Sequence, residues 1–170
     1  MRRLVQIIAL LALGCGAAQP DGTGGFRFDL LVSRALADTV GEFQVAVLQA
    51  QYLTNGCADL VNPASPQCLA SRSLPDKAFL GLHDAQGTHR AIRFPFTNDA
   101  TTVAGQALEL TVDVSVNDLV VIEGLSRDAT PQLLGASCTP LARVDQGVTT
   151  TLVANPMQAY TPAPACNPTM

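Results

Sequence analysis

The chain has 170 residues, with 10 Lys and Arg against 14 Asp and Glu, a formal net charge of −4 and a charged fraction of 14%. That acidic balance excludes a nucleic-acid interface, which needs clustered basic residues. A hydrophobic fraction of 48% excludes disorder for the body of the chain, and the absence of Trp with only two Tyr argues against a sugar-stacking cleft.

In chain order, Arg2 and Arg3 precede an apolar run from Leu4 to Leu13, and Gly14 and Cys15 follow. A positive end, a short apolar core and a small residue make up the layout of a secretory signal. The run is about half the ~20 residues that a membrane-spanning helix needs. The segment Leu11-Ala12-Leu13-Gly14-Cys15 resembles the lipobox of bacterial lipoproteins, with Ala12 at the place where Leu is usual. The resemblance implies a signal peptide over 1–14, cleavage before Cys15, and acylation of Cys15, palmitate included, on its amino terminus and thiol. It implies an anchor in the bacterial envelope, and Gly16 in place of Asp implies sorting to the outer membrane. Gly16-Ala17-Ala18-Gln19 leaves a second reading open, an ordinary signal cut further on. Arg2-Arg3 lacks the residues that follow the pair in a twin-arginine signal. After cleavage eight Lys and Arg face fourteen Asp and Glu, a net charge of −6. A surface of that sign does not dock on anionic headgroups, so the acyl chains alone hold the membrane.

Residues 15–25 form a lipidated tether, Gly-rich in its second half (Gln-Pro-Asp-Gly-Thr-Gly-Gly over 19–25). Gly22, Gly24 and Gly25 imitate a phosphate-binding loop in spelling alone, with no strand before them and no helix after. Residues 26–157 form the domain. Phe26, Phe28 and Leu30 alternate with polar residues, as do Phe43, Val45 and Val47, the period of half-buried strands. Residues 34–41 suit one helical turn, and Asn55-Gly56 marks a turn. The proline-bearing stretch 57–75 has no periodicity and reads as a stapled loop. Residues 79–82 and 91–94 flank 84–87 as a hairpin. In 108–116 the residues Leu108, Leu110, Val112, Val114 and Val116 fall on one face, and Glu109 and Asp113 on the other. Leu119-Val120-Val121-Ile122 is a continuous apolar run, suited to a central strand covered on both faces. Residues 148–153, rich in Thr and Val, form the last strand, and 158–170 is a Pro-rich tail unfit for a central strand.

About eight short strands separated by Gly, Pro and Asn/Asp predict an all-β protein, an antiparallel β-sandwich with a disulfide-stapled loop. Four cysteines remain after Cys15, an even number that reads as two disulfides in an exported chain. Of three pairings, Cys57–Cys68 with Cys138–Cys166 closes the shortest loops, the second tying the tail down. A loop of about eleven residues stabilises by ~3 kcal/mol in the chain-entropy model. No cysteines stand two to four residues apart, so metal is not expected. The stretches 118–125, 134–138 and 144–150 resemble the C-terminal half of transthyretin-like and immunoglobulin-like sandwich domains of small bacterial lipoproteins. This implies the fold and no activity.

Candidate chemistry is sparse. His83 and His89, beside Asp84, read as exposed hairpin histidines, short of the three or four convergent ligands a metal needs. Glu109 and Asp113 lie about 13 Å apart on an extended strand. Paired glycosidase carboxylates stand roughly 5–9.5 Å apart. Glu123 is the one acid whose burial bears on function, its ordinary reading being an exposed strand-end carboxylate. No nucleophile elbow and no His-Glu-x-x-His occurs. The expectation is a non-catalytic structural or interaction lipoprotein with an envelope protein partner and no cofactor. The alternative is a ligand-binding lipoprotein using the 57–75 loop and the hairpin ends.

Overall fold

The computed structural model describes residues 22–29, 32–96 and 107–167; Cys15 and the expected signal lie outside them, as do the residues of the expected tether before Gly22. Ten strands are found among the described residues, in chain order β1 (Thr23–Asp29), β2 (Val40–Gln49), β3 (Leu82–Asp84), β4 (Gly87–His89), β5 (Ala91–Pro95), β6 (Ala107–Asp113), β7 (Ser115–Ser126), β8 (Leu133–Val144), β9 (Thr149–Val153) and β10 (Gln158–Ala159). They form two five-stranded sheets, one ordered β4-β3-β6-β1-β9 and the other β10-β8-β7-β2-β5. The protein is an all-β sandwich. Its pairings are antiparallel except that of β1 with β9, which is parallel. Two four-residue helices, α1 (Arg34–Ala37) and α2 (Cys57–Leu60), and three 3₁₀ turns, Ala50–Tyr52, Leu69–Ser71 and Asp76–Ala78, complete the described elements.

Alternation explains the core. Phe26, Phe28, Leu82, Leu110 and Val112 of the first sheet meet Phe43, Val45, Val47, Val120 and Ile122 of the second in one buried cluster. The second sheet is also covered outside: Ala46, Leu48, Leu119, Val121 and Cys138 pack beneath Leu60 and Leu69. The continuous apolar run 119–122 is therefore buried on both faces of β7. The 57–75 excursion supplies the cover, pinned to the sheet by its cysteines.

Several expectations are corrected. The disulfides join Cys57 to Cys138 and Cys68 to Cys166, with Cα separations of 5.4 and 5.5 Å. The shortest-loop pairing fails because each cysteine of the excursion sits on a different part of the sheet below it. Cys57 lies over β8, and Cys68 beside the C-terminal segment that runs past Leu133. The tail is tied to the excursion, not to Cys138. It continues the sheet as the edge strand β10, and Cys166 N–H donates to the Pro131 carbonyl at 2.8 Å. β1 begins at Thr23, with Thr23, Gly24 and Gly25 buried, so the sandwich takes in the end of the expected tether.

The predicted hairpin is shorter, β3 with β4; residues 91–95 instead pair with β2 in the opposite sheet. The single strand over 108–116 is two. The chain crosses between sheets at Val114, leaving Val114 and Val116 exposed while Leu110 and Val112 are buried.

Candidate functional site

Among the sequence-predicted candidates, Glu123 is where the structure departs most from expectation. It is 3% exposed, on the outer face of β7 under the excursion, and the strand continues past it to Ser126 and does not end at Gly124. The Leu69 N–H donates to its Oε1 at 2.6 Å, and Gln44 Nε2 donates to Oε2 at 3.1 Å. Burial pushes its carboxyl up to about 7, against the opposing pull of the Leu69 N–H, the Arg72 charge and the Gln44 amide. Arg72 does not pair with it. Its guanidinium donates to the Asp59, Leu60 and Gln67 carbonyls at 2.6, 3.0 and 3.1 Å, which shapes the loop. The Tyr160 hydroxyl and Gln44 Oε1 are buried without a protein partner. Cys68, Cys166 and Glu123 place potential ligand atoms within 4.8 Å of one another. The two sulfurs are joined, so in this state they offer a metal no thiolate. The cluster fastens the cover to the sheet.

The two histidines are not free. His83 Nε2 lies 2.7 Å from Asp113 Oδ1, and Thr88 Oγ1 lies 3.1 Å from His83 Nδ1. His89 Nε2 lies 2.9 Å from Asp84 Oδ1. The register Leu82↔His89 and His83↔Thr88 puts the histidines on opposite faces of the hairpin, so they do not converge. Hydroxyl, imidazole and carboxylate in a row match the parts of a nucleophilic relay. Thr88, however, is exposed on an edge strand, whereas such a relay works beside oxyanion donors in a water-excluded site. Asp113 also accepts the Gly81 N–H at 3.0 Å. It thereby clamps the hairpin to β6. Glu109 is exposed and accepts from Thr149 Oγ1, so it and Asp113 serve separate contacts.

A cleft of about 380 Å³ opens at the sandwich end where β2 leaves and β7 enters. Gln49 and Asp118 are register partners at its floor, Ser115 and Asn117 flank them, and Leu80, Val114 and Val116 form apolar walls. Asp118 is 1% exposed. Ser115 Oγ donates to its Oδ2, and Oδ1 has no protein partner. Burial raises its carboxyl above the ordinary value, against that hydrogen bond. Asn117 adopts φ 60, a left-handed conformation that Asn tolerates better than most residues. Sequence reasoning missed this site because its lining comes from 49–51, 80 and 114–118, brought together only by the crossing at Val114. A carboxylate directly before an apolar run was the one local signal.

Comparison with protein-family models, curated proteins and solved structures returns no match.

Proposed function

We propose that this chain is an exported, lipid-anchored envelope protein whose sandwich acts by holding a partner in the cell envelope. The observation that carries this reading is the pair of disulfides, Cys57–Cys138 and Cys68–Cys166, since such bonds belong to oxidising compartments. In this reading residues 1–14 are removed, Cys15 takes the acyl chains, Gly16 directs the protein to the outer membrane, and the domain works as a non-catalytic interaction module. Mass spectrometry of the membrane-fraction protein is expected to show a chain starting at an acylated Cys15, and Cys15→Ser is expected to block processing or release the domain. A native chain starting at another residue overturns the anchor.

A second reading, a ligand-binding lipoprotein, is favoured by the cleft at Gln49 and Asp118. It moves the contact surface away from the 57–75 loop, whose Leu60, Cys68 and Leu69 are buried against the sheet.

A further inference from the structure

We infer that the cleft at the Gln49–Asp118 end of the sandwich binds a primary ammonium group carried on an aliphatic stem, with Asp118 Oδ1 as its main acceptor. The inference rests on reading the domain as a binding module, and names the chemistry that one surface selects.

The lining residues decide the class. None of the described lining residues is Lys or Arg, so none of them compensates an anion. Asp118 is the sole carboxylate among them, too few oxygens for calcium, which gathers about six to eight, and no His or Cys among them suits a transition metal. No aromatic ring is among the described lining residues, so a quaternary ammonium lacks the cage it prefers.

A primary ammonium carries three donors and no acceptor. It would meet, once the side chains over it part, a buried carboxylate oxygen with no protein donor, together with the side-chain amides of Gln49, Gln51 and Asn117 along the same lining. Gln49 keeps its own amide group turned by donating to the Lys77 carbonyl at 3.0 Å, while its Oε1 accepts from Gln51 at 2.8 Å and retains a second lone pair. Val114 and Val116, 43% and 61% exposed, then offer apolar surface for methylenes beside the buried Leu80. The volume lies at the lower end of the roughly 300–1,000 Å³ of small-ligand clefts, which suits a small occupant. A net negative protein draws such cations in. A positive charge beside Asp118 also offsets the desolvation that its burial imposes.

Two sources share this chemistry, a free alkylamine and a lysine side chain of a polypeptide. The test is an NMR titration of the isotope-labelled full chain in detergent micelles with pentylamine, with Nα-acetyl-lysine-N-methylamide, and with 1-pentanol as the neutral match. Saturable shifts at Gln49, Asn117 and Asp118 are expected with the amines and not with pentanol. Asp118→Asn, nearly isosteric, is expected to weaken amine binding by about tenfold or more, since a charge-assisted hydrogen bond is lost. Binding of pentylamine without the capped lysine assigns small amines, and tighter binding of the capped lysine assigns a lysine side chain. Pentanol binding as well as the amines, or no saturable shift with either amine, overturns the inference. The pentanol comparison uses the unaltered protein, so it decides even if Asp118→Asn fails to fold. None of these outcomes depends on whether Cys15 is acylated.

Discussion

Replacing Glu123 by Gln tests the buried cluster with almost no change of shape. In the unfolded chain this carboxyl titrates near 4.5, and in the fold near 7. Between those values the folded protein holds a proton that the unfolded chain has released, so stability falls as pH rises through this window. Below the unfolded value both states are protonated and nothing is lost; above the folded value the loss is complete. A separation from 4.5 to about 7 corresponds to about 3 kcal/mol between pH 4 and pH 8, at 1.36 kcal/mol per pKa unit. Gln cannot ionise, and its amide oxygen can still accept the Leu69 N–H that now meets Oε1. Glu123→Gln is therefore expected to match the parent protein near pH 4.5 and to exceed it by about 3 kcal/mol at pH 8. Urea denaturation of both proteins from pH 4.5 to 8, with disulfides intact, measures the difference. Asp118 and the other titrating groups are common to both chains and drop out of it. A difference that stays flat across that range would refute the placement of a buried, protonatable Glu123 beneath the excursion.

Non-reduced peptide mapping is expected to recover Cys57 linked to Cys138 and Cys68 linked to Cys166; recovery of Cys57 with Cys68 contradicts the topology. With sequence separations of 81 and 98, each closure stabilises by about 4.5 kcal/mol in the chain-entropy model, so Cys57→Ala/Cys138→Ala should lower the denaturation midpoint sharply. Gly24→Ala should destabilise by about 1–3 kcal/mol or more, because the added Cβ comes 2.2 Å from the Asp145 carbonyl oxygen and 2.7 Å from a Val144 methyl. A thermal midpoint unchanged from the parent in that variant would show that β1 does not lie against residues 144–145.

Strand content and much of strand placement are local properties, and these were legible. Phe26 and Phe28 around Arg27, and Phe43, Val45 and Val47, announce their inward faces by period alone. The unbroken run 119–122 announces a strand with no solvent face, and the even count of four cysteines after Cys15, read as those of an exported chain, announces disulfides. What alternation cannot say is which sheet a strand joins. Leu110, Val112, Val114 and Val116 keep one period across a point where the backbone changes sheets, so the first two enter the core and the last two line a cleft. The same limit moved residues 91–95 from a hairpin to the edge of the opposite sheet.

Cysteine pairing and Glu123 belong to the tertiary structure for a related reason. Short loops close at the least entropy, but the partner of each cysteine is set by which part of the sheet the excursion covers, and that covering is driven by burying Leu60 and Leu69. Glu123 ends an apolar run in the sequence and looks like a solvent boundary. It is buried because chain distant in sequence, residues 68–69 and 160–166, closes over it. Local pattern determines which residues pair as strands; non-local packing determines which polar groups lose their water, and with them where a ligand finds an acceptor.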